Sequence, residues 1–315
     1  MLHDLNHLLN TKYPLIQGGM AWVASAELAA AVAEAGGLGL VAAGSMTPDL
    51  LRDEIRRTKR MTSRAFGVNI MLMNPFADQL AKVVVEENVP VVTTGAGSPG
   101  RYIEDWKKAG ITVIPVVASV AYARRMENLG ADAVIAEGTE AGGHIGELTT
   151  MVLIPQVADA VSIPVIAAGG VADGRGVAAA RMLGASGVQV GTRFLASLEC
   201  RIHDNYKQMV VKARDIDTLV TGRSGGHPVR TLKNSLARHL IEMEKRGASF
   251  EELEAVTIGS LRRAVQDGDL GEGSFMAGQS AGLVSCIEPA AVIIQTMFAQ
   301  AEQLLGYSLC REVVR

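Results

Sequence analysis

The chain has 315 residues, enough for one large domain or two of ordinary size. Its composition, 48% hydrophobic and 20% charged with 34 glycines, suits a well-buried α/β core and excludes a disordered chain. Aromatic residues make up 4% and the formal net charge is −3. Neither base-stacking surfaces nor a global pull toward phosphate backbones is therefore expected, and nucleic acid is not an expected partner.

The opening stretch MLHDLNHLLNTKYP is amphipathic but lacks the basic start and long apolar run of a signal peptide. Cys200, Cys286 and Cys310 have no metal-ligand spacing and form no even framework, which fits a reducing cytoplasm. Apolar runs such as VSIPVIAAGGVA are too short and too interrupted by Gly and Pro to span a bilayer, so no membrane association is expected.

From residue 13 to about 195, short β-branched runs alternate with helical patterns. The runs are YPLIQGG, LGLVAAG, FGVNIML, VPVVTTGAG, TVIPVVAS, DAVIAEG, IPVIAAGG and GVQVGTRF. Between them, segments such as SAELAAAVAEAG, TPDLLRDEIRRTKR and AYARRMENLG carry helical periodicity. Strands apolar throughout and each followed by a helix imply a parallel sheet covered on both faces. Eight such units predict an α/β fold of the (β/α)8 TIM-barrel type. A doubly wound sheet is the alternative, weakened by the lack of a first-strand G-x-G-x-x-G with an acidic residue on the second strand.

Beyond residue 195 the pattern changes. Residues 201–238 hold eight Lys/Arg against three Asp/Glu, a local balance of +5. Residues 249–283 read as helices broken by DGDLGEGSFMAGQSAG, and 288–306 as an amphipathic helix able to close the barrel. The expected organisation is a barrel of residues 1–198 and 284–315, with a mainly helical lid or substrate-binding insertion at 199–283.

Barrel active sites lie at the carboxyl ends of the strands. Here those ends read Gly18-Gly19-Met20, Asn69, Thr94-Gly95-Ala96-Gly97, Glu137-Gly138, Gly169-Gly170 and Gly191-Thr192. Glycine at one strand end is ordinary turn chemistry; at so many it leaves room for a flat ligand across the top. The last two ends place amides and a threonine hydroxyl where barrels bind phosphate, and a glycine run ahead of a helix adds the helix N-terminus to the anion site. Asn69 serves either as a strand-end turn former or as an amide contact to a heterocycle edge. His144, in TEAGGHIGELTT, is either a satisfied loop histidine or a proton donor on the catalytic face. With no nucleophile-activating carboxylate or cysteine and no second His close in sequence, a lone proton donor fits redox chemistry on an organic cofactor better than hydrolysis. The basic stretch 201–238 is either a solvated surface or a docking face for an acidic partner.

Taken together, PLIQGGMAWVASAELAAAVAEAGGLGLVAAG, FGVNIML, VVTTGAGSP, GADAVIAEGTEAGGHIG, IPVIAAGGVADGRG and VQVGTRF closely resemble the nitronate monooxygenase-like flavoprotein family. KARDIDT, GHPVR and GSFMAGQSAGLV extend the resemblance to its enoyl-[acyl-carrier-protein] reductase branch. The resemblance implies a TIM-barrel enzyme with non-covalent FMN, reduced by NADH or NADPH, that reduces trans-2-enoyl thioesters on acyl carrier protein. It further implies a cytoplasmic homodimer, and activation by ammonium or potassium in many members. By position, Gly19, Met20 and Ala21 would pass beside the flavin ring and Asn69 would contact its edge, with Thr94 among the contacts. Glu137 would lie beneath the ring, and Gly169, Gly170, Gly191 and Thr192 would hold the phosphate. His144 would be catalytic, and Met276, Ala277 and Ser280 would return from the insertion toward the flavin. The rival readings are a nitronate monooxygenase on the same flavin barrel and a flavin-free phosphate-binding barrel.

Overall fold

The computed structural model describes residues 5–311. All eight apolar runs are strands: β1 (Leu15–Gln17), β2 (Gly39–Ala42), β3 (Phe66–Met71), β4 (Val91–Gly95), β5 (Thr112–Val117), β6 (Val134–Glu137), then β8 (Val165–Ala168) and β9 (Gly187–Val190). The two-residue β7 (Gly143–His144) lies in the loop after β6. The eight pair in parallel in the order β1-β9-β8-β6-β5-β4-β3-β2. A parallel bridge between Ile16 and Leu38 closes the ring, with the Gln17 amide donating to the Leu38 carbonyl at 2.9 Å. The protein is therefore a (β/α)8 barrel.

Inside, Ile16, Leu40, Val91, Ile114, Ile135 and Ile166 form one fully buried cluster. Leu5 and Leu9 of the short helix α1 (Leu5–Leu9) join it and seal the end where the strands begin. Outside run α2 (Ala26–Glu34), α3 (Pro48–Met61), α4 (Ala77–Glu86), α5 (Gly100–Lys108), α6 (Val120–Asn128), α7 (Thr150–Ala158) and α8 (Gly174–Met182). Their apolar stripes pack on the outward residues of the strands, as the alternation of a covered sheet requires.

After β9 come α9 (Thr192–Leu195) and α10 (Asp204–Val211), then β10 (Thr218–Thr221) and β11 (Val229–Leu232). There follow α11 (Ser235–Lys245), α12 (Phe250–Thr257), α13 (Ser260–Arg262) and a π-turn at Arg263–Asp267. Besides helices, this segment thus carries an antiparallel ribbon, which β7 extends to three strands. The chain then returns to the barrel as α14 (Ala290–Leu305), the expected closing helix, packed on α8 and α2. No described helix is long and apolar enough to cross a membrane.

The α8–α14 contact is a backbone approach. A Cβ on Gly174 would lie 2.4 Å from the Met297 carbonyl oxygen and 2.6 Å from the Ala301 nitrogen. Gly174 also donates its amide to Gln300 Oε1 at 2.9 Å. Gly174→Ala should push the last helix outward and destabilise the barrel by ~1–3 kcal/mol, the usual cost of overpacking. At ~2–4 °C per kcal/mol, the thermal midpoint by circular dichroism should fall visibly. A midpoint equal to the wild type's would mean that α14 yields freely and this approach holds nothing.

Candidate active site at the carboxyl ends of the strands

A cavity of about 770 Å³ lies over the strand ends. From the first strand end come Gly19, Met20 and Ala21, and from the third Asn69. Asn69 Nδ2 donates to Thr93 Oγ1 at 2.9 Å, so the amide is already oriented by its neighbour strand. Gly19 is obligatory beside it: a Cβ there would fall 2.3 Å from Asn69 Cγ. Gly95 and Gly191 also line the space; a Cβ on Gly95 would touch nothing, and one on Gly191 only Met20. These strand ends keep the cavity free of side chains.

Gly169 and Gly170 line one end and both take positive φ, +91° and +79°. Next to them the expected helix contribution is absent. The first amides of α8 are capped by Asp173, which accepts from Arg175 and Gly176 at 3.0 and 3.3 Å. The Asp173 carboxylate also pairs with the Arg175 guanidinium. The first amides of α8 are thus taken by Asp173 and Gln300, while Gly169, Gly170 and Thr192 line the cavity.

Among the titratable groups lining the cavity, Glu137 and His144 are shifted in opposite directions. Glu137 is reached only from inside, and among the described residues no cation pairs with it. Loss of hydration pushes its carboxyl up to about 7. His144 is solvent-accessible through the mouth, yet the walls remove part of its hydration. That loss, and then the nearby His227, hold its imidazole below the usual histidine range.

His144 is held by main chain. β7 pairs with β11, His144 opposite Val229 and Gly143 opposite Arg230, and the Ile145 amide donates to the Pro228 carbonyl at 3.1 Å. Buried Arg230 donates to the Thr139 carbonyl at 3.0 and 3.2 Å and to Thr218 Oγ1 at 3.2 Å. The returning segment completes the wall: Met276 and Ser280 line the cavity, and the Gly278 amide donates to Thr192 Oγ1 at 2.9 Å.

Two of the expected contacts lie elsewhere. Thr94 alternates with inward-facing Thr93 and stands in register with Ile70; its buried hydroxyl has no hydrogen-bond partner and does not line the cavity. Ala277 is buried behind the wall, its backbone within 2.7 Å of where a Gly142 Cβ would sit. Conversely, Tyr122, Arg125, His227 and Pro228 line the cavity and were not anticipated. The basic stretch 201–238 is not one face. Lys207 is buried and donates to the Ser197 carbonyl, Arg230 is buried, and Arg214 and Arg223 pair with Asp217 and Glu147.

A closed parallel barrel whose large cavity collects main chain and polar groups at the carboxyl ends of its strands is a barrel enzyme. This chain belongs to the nitronate monooxygenase family, whose model, "Nitronate monooxygenase", matches residues 3–82 and 74–300. Among solved structures, FabK from Thermotoga maritima is 52% identical with a TM-score of 0.93, covering 97% of this chain and 98% of that one. A (3aS,4S,5R,7aS)-5-hydroxy-7a-methyl-1-oxo-octahydro-1H-indene-4-carboxyl-CoA dehydrogenase of Rhodococcus jostii (strain RHA1) is 41% identical over 75% of this chain and 67% of its own. A probable nitronate monooxygenase of Staphylococcus aureus (strain JH9) is 32% identical over 96% and 98%.

The Glu137 geometry makes a prediction for the cofactor-free protein. A carboxyl raised from 4.5 to about 7 binds its proton more tightly folded than unfolded, so its contribution is full below pH 4.5 and is lost as pH rises through about 7. Glu137→Gln keeps a neutral side chain at every pH. The variant should match the wild type at pH 4 and exceed its stability by up to ~3 kcal/mol at pH 8 in urea unfolding. Parallel stability curves across that range would mean the carboxyl is hydrated and unshifted.

Proposed function

We propose that the enzyme is an FMN-dependent enoyl-[acyl-carrier-protein] reductase using NADH or NADPH. The observation that carries this reading is convergence. All the residues that the sequence resemblance assigns to flavin and catalysis, Thr94 and Ala277 excepted, line one cavity. The likeness to FabK over nearly the whole chain supports the reductase branch, and the relative named for a CoA-thioester dehydrogenase supports a thioester substrate.

The residues present fit FMN. Gly95 and Gly191 leave flat, uncovered surface for a planar ring, and consecutive left-handed glycines expose main chain to a phosphate. Gly169, Gly170, Gly191 and Thr192 would hold the phosphate, with Gly19, Met20, Ala21 and Asn69 along the ring. Glu137, its carboxyl pushed up to about 7, would offer a hydrogen-bonding group beneath it that takes up a proton far more readily than an ordinary carboxylate. Met276 and Ser280 would close the wall, and residues 199–283 would act as the lid. When bound, FMN supplies hydride transfer from nicotinamide to the enoyl group.

Reducing the enoyl double bond adds a hydride at the β-carbon and a proton at the α-carbon. His144 supplies that proton, its imidazolium giving up N–H and regaining it from solvent through the mouth. Its depressed pKa makes the imidazolium a stronger acid but a minor form at neutral pH. Acyl carrier protein would deliver the substrate; exposed Lys212 and Arg238 remain available to its acidic surface. A nitronate monooxygenase on the same cavity is the second reading, supported by the Staphylococcus aureus relative.

Anaerobic stopped-flow absorbance tests the scheme. NADH or NADPH should bleach the flavin rapidly, and crotonyl thioester should restore it; a flavin that responds only to alkyl nitronates and oxygen would establish the second reading. The reoxidation rate should fall as pH rises through a value below 6.5, because the reactive imidazolium is lost. His144→Gln should slow reoxidation by ~10²–10⁴-fold and flatten that profile, leaving bleaching near normal. Equal loss in both half-reactions would make His144 an organiser of the flavin site and not a proton donor.

A further inference from the structure

Among the described residues lining the cavity, Arg125 carries the one permanent charge; besides two tyrosines, the other titratable groups are Glu137, His144 and His227. Arg125 is exposed at the rim, on α6, and among the described residues no carboxylate pairs with it. It is set against a rigid ledge. Tyr122, one turn earlier on the same helix, donates its hydroxyl to the Gly97 carbonyl at 2.7 Å. That bond holds the loop after β4 in a demanding shape, with Ala96 at φ +54° and Gly97 at φ +143°. A left-handed alanine persists only where surrounding contacts impose it. The ledge presents the exposed Ser98 hydroxyl to the same cavity, beside the Tyr122 hydroxyl with which it hydrogen-bonds, and it accepts a long 3.4 Å bond from the Gly100 amide. The same cavity is also lined by His144 and His227. Among the described lining residues no other Lys or Arg competes for an anion brought to Arg125.

We propose that Arg125, assisted by Ser98, binds the phosphate of the co-substrate that enters the cavity over the cofactor. The proposal rests on the reductase reading, because that reading requires organic phosphates to approach from the mouth. A guanidinium free of protein partners, beside a hydroxyl on a fixed loop, suits a tetrahedral oxyanion. Two sources share this chemistry: the pyrophosphate of a nicotinamide dinucleotide and the phosphate of a phosphopantetheine arm.

Paired probes that differ in the phosphate separate them. For the first half-reaction these are NADH and reduced N-benzylnicotinamide; for the second, crotonyl-phosphopantetheine and crotonyl-pantetheine. In Arg125→Gln holoenzyme, at least one phosphate-bearing probe should show a concentration for half-maximal rate raised ~10-fold, with the limiting rate unchanged. Its phosphate-free counterpart should be unaffected, Arg125→Lys should recover part of the loss, and added salt should shrink it. A rise for NADH alone assigns the dinucleotide; a rise for crotonyl-phosphopantetheine alone assigns the carrier arm. The proposal is overturned if no phosphate-bearing probe weakens by more than twofold, or if the phosphate-free probes weaken as much. A wild-type flavin that neither nicotinamide reduces would overturn the reductase reading itself, and this proposal with it.

Discussion

The site depends on a short stretch of main-chain pairing: Gly143–His144 against Val229–Arg230. The loop EGTEAGGHIGE after β6 has few apolar side chains and three consecutive small residues, so burial alone cannot fix it. Its shape comes from outside itself. The ribbon of β10 and β11 supplies the pairing, and the Arg230 side chain holds the Thr139 carbonyl from below. A buried guanidinium spread over three hydrogen bonds recovers part of its desolvation cost while tying two distant segments together. The imidazole that faces the cavity is therefore positioned by residues that enter the fold after the barrel's last strand.

Glycine does two different jobs around this cavity. At Gly95 and Gly191 the absent side chain is space kept open for something to lie on main chain. At Gly142 it is space already filled: a Cβ would strike the Ala277 backbone at 2.6 Å, so only glycine lets the returning segment close against the loop. Gly174 repeats that second use outside the barrel, where α14 crosses α8. The first kind forms the floor of the site and the second holds its walls together. Substitutions at the two would fail differently, one by blocking a ligand and the other by opening the fold.

This division also explains what could be read from the sequence. The eight strands were legible because each is an apolar run, and α14 because its stripe resumes after a segment of different composition. The strand-end residues followed from the rule that barrel chemistry sits at carboxyl ends. Thr93 and Thr94 were not separable that way: which threonine faces inward depends on the register of β4 against β3, and adjacent threonines carry no signal of it. The ribbon with β7 was invisible because its strands are two to four residues long and its β7 member is Gly-His. Charge counting over 201–238 could not separate surface from interior for a related reason. Lys207 and Arg230 spend their charge on carbonyls inside the protein, and only tertiary packing reveals that.

The opposite displacements of Glu137 and His144 have one origin. Removing water from a cavity disfavours whichever form is charged, raising a carboxyl and lowering an imidazole together. Each shift favours the uncharged form relative to the free side chain, so the central part of the cavity carries less charge than its composition suggests. Permanent charge is confined to the rim, at Arg125, while the anion-ready main chain lies at the Gly169–Gly170 end. A neutral planar group in the middle with phosphates at the two extremities matches that distribution without burying an unpaired charge.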